Sequence, residues 1–388
     1  MQETISHILI FEPGIKGHQL IWLDNITRKF LSEGYKITLA ADYHGRSKSI
    51  IQNQLSDIIE KISIIPVFEK NGQWYRGSKL KCLSACFYES KAQEVFLNNL
   101  DEIMSRCLRL SAAGINPPGN LRGCISGVYF RPRFIENSLW PPGNIIKSFG
   151  FKRLCRQSWF KNIYLLDEYL YKKIKKKYPD QSFYFLPDPW QGDFSHDKQE
   201  ARKSLELPED KLIFLFFGIS DKRKGLHLVI DAMLSMPDDS QVFLLCAGSR
   251  SPGDLKILKG LEKLRSRGMA QIIDRYVSEY EKELCFCASD FVLLPYINHF
   301  GSSGVLSLAG AAGKMVIASD FGLLGKRVKE HNLGFVFKNG SIKELKKCIN
   351  NSILLDNENL FKYQESVSRY AGLCSLESFE NTLMTPYK

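Results

Sequence analysis

The chain has 388 residues, 44% of them hydrophobic and 24% charged. That length is too great for one ordinary core and that composition too apolar for a disordered chain, so two or three folded domains are expected. The formal charge of +11 is unevenly placed: residues 131–177 hold twelve Lys and Arg against Glu136, Asp167 and Glu168, a net of +9 that leaves +2 for the rest.

No run approaches the roughly eighteen apolar residues that span a bilayer, and the start MQETISHILIFEP lacks a basic stretch before a long apolar one. A cytoplasmic protein is the expectation, with peripheral attachment at the inner face of the membrane as the further option that the basic segment raises. The ten cysteines are scattered. Cys82 and Cys86 lie one helical turn apart and Cys285 and Cys287 two residues apart, and neither pair makes a zinc site without partners, so reduced thiols and no bound metal are expected.

In chain order, HILIFEP (7–13) reads as a strand, followed by a helix over 18–34, a strand at 35–42, a helix near 47–61 and a strand at 63–69. One long helix is expected over about 79–106. Strands follow at 124–130, 162–168 and 182–188. PDPWQGDFSHD (187–197) has proline, glycine and aspartate without periodicity and reads as a linker. Beyond it the alternation restarts, with strands at 211–219, 242–249, 270–277, 291–296, 315–320 and 333–338. Two successive α/β units of similar size predict two doubly wound, Rossmann-like domains facing a cleft, with ligands at the carboxyl ends of the strands.

FFGISDKRKGLHLVIDAM (216–233) raises a chemical question, since a buried strand runs through a glycine and three consecutive cations into an amphipathic helix. A helix N-terminus presents unpaired N–H groups and a partial positive charge, and cations beside it make an anion pocket, for phosphate above all. An ordinary solvated basic turn is the plain alternative. Ser302, Ser303 and Gly304 open another helix after FVLLPYINHFG and offer hydroxyls and N–H groups, a role compatible with simple N-capping.

Four stretches in this order resemble the GT-B glycosyltransferases, in particular the retaining, nucleotide-sugar-dependent family four (group 1) enzymes. They are EPGIKGHQLIWLDNITRKFLSEGYKITLA near the start, LPDPW before the linker, FFGISDKRKGLHLVIDAM, and ASDFVLLPYINHFGSSGVLSLAGAAGKMVIASDFGLLGKRV. The resemblance implies an acceptor-binding domain over 1–190 and a donor-binding domain over 200–374, with a last helix at about 375–388 returning to the first. It implies that Lys224 grips the donor diphosphate, with Gly218, Ser220, Lys222 and Arg223 around it. Gly248, then Tyr276 and Val277, would follow at the next strand ends, and Ser302, Ser303, Gly304 and Val305 at the helix opening. Two departures stand out: Ile219 occupies the place of a usual arginine, and Phe300 and Leu308 occupy the places of paired glutamates, so this is a divergent member.

On the acceptor side, strand ends and the first loop supply Gly14, Lys16, Gly17, His18, His44 and Arg131. His18 and His44 join Lys224 as catalytic candidates, although His18 could equally cap its helix. Arg131, beside a proline-stiffened turn, suits a bidentate contact with phosphate or carboxylate. The expected activity is metal-independent transfer of a sugar from a UDP- or GDP-linked donor to a glycan, lipid-linked or small-molecule acceptor. No resident cofactor and no nucleic-acid partner are expected, and an anionic membrane surface is a candidate partner for 131–177. A catalytically inactive GT-B-like binding or partner subunit is the alternative.

Overall fold

The strands are short, continuous apolar runs such as HILIFE and LIFLFF, a composition that suits a parallel sheet covered on both faces. The computed structural model describes residues 6–14, 18–136, 141–250 and 255–388. By internal contacts the chain divides into residues 1–186 with 380–388, and residues 187–379.

The first unit runs β1 (His7–Glu12), α1 (His18–Ser32), β2 (Lys36–Ala41), α2 (Gly45–Gln54), β3 (Ile62–Pro66), α3 (Lys79–Ser90), β4 (Glu94–Leu97), α4 (Asp101–Ala112), β5 (Ile125–Tyr129), α5 (Arg133–Glu136), α6 (Gly143–Arg156), β6 (Phe160–Leu165), α7 (Glu168–Lys177) and β7 (Ser182–Phe185). Its sheet has the order β3-β2-β1-β4-β5-β6-β7, every neighbouring pair parallel. The chain leaves β1 toward β2 and β3, then returns to build the other half from β4, so the winding reverses between β1 and β4.

The expected single helix over 79–106 is instead α3, β4 and α4. EVFL is only four residues long and has no proline or glycine beside it to mark a break. All four of its side chains are buried, and Ile8 to Phe11 of β1 pair with Glu94 to Leu97. The tail belongs to this unit as well: the Tyr164 hydroxyl donates to the Leu383 carbonyl at 2.7 Å, and the Tyr387 ring packs on Phe30.

The second unit runs α8 (Lys198–Ser204), β8 (Leu212–Phe217), α9 (Leu226–Leu234), β9 (Val242–Ala247), α10 (Leu255–Ser266), β10 (Ala270–Ile273), α11 (Glu279–Ala288), β11 (Phe291–Leu294), α12 (Gly304–Ala311), β12 (Met315–Ser319), α13 (Gly322–Glu330), β13 (Gly334–Phe337), α14 (Ile342–Ile353) and α15 (Asn357–Leu373). α16 (Leu376–Met384) begins here and ends in residues assigned to the first unit. The sheet order is β10-β9-β8-β11-β12-β13, again parallel throughout, with its reversal between β8 and β11. Each unit has its own apolar core, and a capping box between Ser278 and Glu281 starts α11.

Candidate functional site

In a doubly wound sheet the loops diverge at the reversal point and leave a crevice beyond the carboxyl ends of the strands. In the second unit that point lies between β8 and β11, and the basic turn stands on it. After Phe217 the backbone passes Gly218 at φ 102°, then a single helical turn over Lys222–Lys224 that Asp221 caps by accepting the Lys224 N–H at 2.8 Å. Gly225 follows at φ 73°, where a Cβ would collide with the Pro295 carbonyl. Only glycine meets both demands, and the close approach locks the turn onto the segment leaving β11.

That segment supplies the partners. Lys224 Nζ donates to the Tyr296 hydroxyl at 2.8 Å and lies 4.5 Å from the centre of its ring. Lys224 is therefore half-buried. Arg223 Nη1 lies 2.8 Å from His299 Nδ1, and His299 Nε2 lies 3.0 Å from the Ser302 carbonyl. A guanidinium only donates, so Nδ1 must accept and Nε2 carries the proton it gives to Ser302. Arg327 of α13 donates to Ser302 Oγ at 2.7 Å. Arg223, His299 and Arg327, from three separate elements, thus hold the entry to α12 at Ser302.

Ser303 sits at the N-cap position of α12, but its Oγ is buried and makes no hydrogen bond in the structure. A capping serine normally spends that oxygen on the helix's own N–H groups. Here a buried hydroxyl and unpaired helix N–H groups share the space beside Lys224's turn, an arrangement suited to an anion with several oxygens.

The next strand ends are less cationic. Gly248, at φ 126°, packs against the Gly218 carbonyl so closely that a Cβ would lie 2.5 Å from its oxygen. Ser220 bridges to Arg250, whose guanidinium pairs with Asp274 at 2.9 Å. Tyr276 is exposed and Val277 buried. Lys222 is exposed, and Gly304 and Val305 begin α12. Where acidic or basic groups were sought, Ile219 is 66% exposed, Phe300 packs edge-on against Phe321, and Leu308 packs on the core.

In the first unit the reversal point between β1 and β4 carries a different chemistry. Glu12, fully buried at the end of β1, accepts from the Gly14 N–H at 2.8 Å and from Asn98 Nδ2 at 2.7 Å. Burial outweighs those hydrogen bonds and raises its carboxyl to about 7. Asn98 also donates to the Gln19 carbonyl, and Gln19 reaches Glu102, which pairs with Lys79 at 2.9 Å. Asp101 accepts the N–H groups of Phe130 at 2.7 Å and Arg131 at 3.0 Å, and burial raises it to about 6. Gly14, His44 and Arg131 stand at the ends of β1, β2 and β5 on one edge of the sheet, with Arg131 exposed. His44 Nδ1 is 3.9 Å from Asp42, beyond hydrogen-bond reach. Lys16, Gly17 and the side chain of His18 lie outside the described residues.

Sequence reasoning found the basic turn but missed Tyr296, His299 and Arg327, and missed Glu12, Asn98 and Asp101. Tyr296 and His299 were visible inside LPYINHFG beside the serines; Arg327 carries no local signal. Among the described residues no group of three or more His, Cys, Asp or Glu is arranged to hold a metal, and all ten cysteines are free thiols.

Residues 197–371 match the family described as "Glycosyl transferases group 1". The chain carries a group 1 glycosyltransferase domain. Over 160 residues it is 28% identical to D-inositol 3-phosphate glycosyltransferase of Streptomyces coelicolor, an alignment spanning 37% of this chain and 35% of that protein. The chain thus matches only about a third of the length of that curated relative. As a fold it is similar to sucrose-phosphate synthase from Thermosynechococcus elongatus, with a TM-score of 0.69 at 15% identity over 98% of each chain. It is also similar to the Anabaena protein Alr3699/HepE in complex with UDP, with a TM-score of 0.69 at 13% identity over 97% of this chain and 98% of that one. These likenesses establish the GT-B fold for the chain that carries the group 1 glycosyltransferase domain. Within that domain the match takes in the basic turn, the α12 opening and Arg327 alike.

Proposed function

We propose that the protein transfers a sugar from a nucleotide diphosphate donor, UDP- or GDP-linked, to a glycan, lipid-linked or small-molecule acceptor. The observation that carries this reading is the cluster of side chains at the opening of α12. Lys224, the Arg223–His299–Ser302 chain and the unpaired Ser303 hydroxyl surround helix N–H groups there. In the reaction the bond from the sugar's anomeric carbon to the β-phosphate oxygen breaks with its electron pair going to the phosphate, and the acceptor hydroxyl oxygen bonds to that carbon as its proton passes to the departing diphosphate. Fixed cations and helix dipoles at the departing diphosphate stabilise the charge that develops. In this reading Gly218, Ser220, Lys222, Gly248, Tyr276, Val277, Gly304 and Val305 line the donor, and the stereochemical outcome is retention.

The acceptor side is assigned to the strand ends of the first unit, to Gly14, His44 and Arg131 with Lys16, Gly17 and His18 beside them. Positive charge at the diphosphate comes from side chains and helix ends, without a metal. UDP in the HepE structure supports a uridine donor for a protein of this fold.

A second reading, a binding or partner subunit without catalysis, is favoured by one observation: with Phe300 and Leu308 there, no carboxylate lies between β11 and β12. Calorimetric titration with UDP and GDP, paired with hydrolysis of a panel of nucleotide sugars, separates the two. Release of nucleoside diphosphate from one donor supports transfer. Diphosphate binding without turnover of any donor, or no binding at all, removes the transfer reading and leaves the second.

A further inference from the structure

Two helices carry most of the charge of segment 131–177, and they are built differently. α7 explains itself as a soluble helix. Asp167 caps it, accepting the N–H groups of Tyr169 and Leu170 at 2.9 Å, and Lys175, Lys176 and Lys177 fill the last turn, where the dipole favours cations. Leu170 and Ile174 are buried on the sheet, and α7 exposes no large apolar side chain among its described residues.

α6 does the reverse. Its inner face is Asn144, Gly150, Phe151 and Leu154, and Gly150 lies so close to α4 that a Cβ would collide with the Leu108 carbonyl. That contact fixes which face is left over. The outward face presents Ile145 at 51% exposure, Ile146 at 49% and Phe149 at 60%, and continues along the same stripe to Lys152 and Arg156. Arg153 flanks it, and α6 contains no acidic residue. Arg153 reaches the Gly114 carbonyl at 3.3 Å, which sets the exposed Ile115 beside the same patch.

Large aliphatic and aromatic side chains held in water, on a helix whose charged residues are all cations, mark an interaction surface. Self-pairing of this face would offer no carboxylate to Lys152, Arg153 and Arg156, since α6 holds none. A nucleic acid would satisfy the cations and leave two isoleucines and a phenylalanine wet. An anionic bilayer satisfies both sets, with apolar side chains at the acyl boundary and cations among the headgroups.

We propose that α6 docks the protein on an anionic lipid surface, Ile145, Ile146 and Phe149 entering the interface and Lys152, Arg153 and Arg156 meeting headgroup phosphates. The proposal narrows the contact from the whole segment 131–177 to α6. No helix among the described residues is long and apolar enough to cross a membrane, so the attachment lies in the surface plane. It is independent of the sugar-transfer reading, because its readout is lipid binding and needs no donor.

The test is co-sedimentation of the full chain with vesicles of phosphatidylcholine containing about one-quarter phosphatidylglycerol, and with vesicles of phosphatidylcholine alone. Binding should require phosphatidylglycerol and weaken as salt rises, because exposed charges are screened over roughly 8 Å at physiological ionic strength. Ile146→Ser with Phe149→Ser should weaken binding by about tenfold or more at an unchanged melting temperature, since both side chains are exposed. Lys172→Gln with Lys173→Gln and Lys176→Gln should weaken it by less than about threefold. Absence of binding to the anionic vesicles, full binding by the serine variant, or a larger loss from the α7 variant overturns the proposal. So does sedimentation velocity in which the serine change dissolves a dimer while vesicle binding is untouched.

Discussion

The two sheets share one winding and put opposite chemistry at the same place. Beyond the β8/β11 reversal stand Lys224, Arg223 and Arg327 with two serines, and the Ser303 hydroxyl is still unspent. Beyond the β1/β4 reversal stand Glu12 and, close by, Asp101, whose carboxylates already hold backbone N–H groups. Topology therefore fixes where a crevice forms, while side chains decide what it is for. The second unit keeps positive charge and an open hydroxyl for a ligand. The first consumes its negative charge internally, anchoring the segments around Gly14 and Arg131 as rigid supports.

The largest effect expected from this contrast is at Lys224. If its charge stabilises a departing diphosphate, Lys224→Ala should slow transfer by on the order of a hundredfold or more, about 3 kcal/mol. Stability should fall by only about 1 kcal/mol, the scale of the one hydrogen bond lost from Tyr296. Tyr296→Phe sharpens the point, because it removes the same hydrogen bond and keeps the cation. Transfer rates, diphosphate affinity and melting temperatures of both variants decide the matter: equal rate losses in the two would mean that the lysine's charge is not what counts.

The first unit's contribution shows in pH rather than rate. Glu12 holds its proton up to about 7 in the folded chain, against 4.5 for an unperturbed carboxyl. The folded state then binds more protons than the unfolded one between those values, so this group's contribution to stability declines as pH rises from about 4.5 to about 7 and is level on either side. Glu12→Gln cannot ionise and should lose that decline. Measured as unfolding free energies across the window, the variant should gain on the parent by up to about 3 kcal/mol as pH rises. A difference that stays constant with pH would mean that Glu12 titrates as an ordinary carboxyl, and the contrast between the units would lose its buried negative side.

Much of this was legible in the chain itself. Runs such as LIFLFF and VFLLCA can hardly be anything but buried strands, and LPDPW ends the first series of strands close to where the second unit begins at Pro187. EVFL was not legible, because four residues set between two amphipathic helices give too short an apolar run to separate from a helix. In the site, SDKRKG showed its cations locally, whereas Arg327 reaches Ser302 from a helix twenty-five residues on, and only the β12 crossover brings it there. The wet face of α6 was hidden for a related reason: IIKSFGF reads as core until Gly150 is seen to turn its other side to α4.

The smallest effects discriminate within the basic turn. Arg223 and Lys222 are adjacent cations, yet only Arg223 is tied into the chain that leads through His299 to the carbonyl of Ser302. Lys222 is exposed on the outside of the same turn. Arg223→Ala should therefore weaken nucleoside diphosphate binding by about tenfold, the 1–2 kcal/mol scale of a charge-assisted hydrogen bond, through lost charge and a freed His299. Arg223→Lys should recover little of it, since an ammonium lacks the fork that meets an imidazole nitrogen and a phosphate together. Lys222→Ala should change affinity by less than about twofold, as exposed charges in water and salt contribute little. Titration of all three variants with UDP in low and physiological salt reads the difference directly. Should Lys222→Ala cost as much as Arg223→Ala, the turn would be acting as a diffuse positive patch, and the ordered network at α12 would not be what sets the second unit apart from the first.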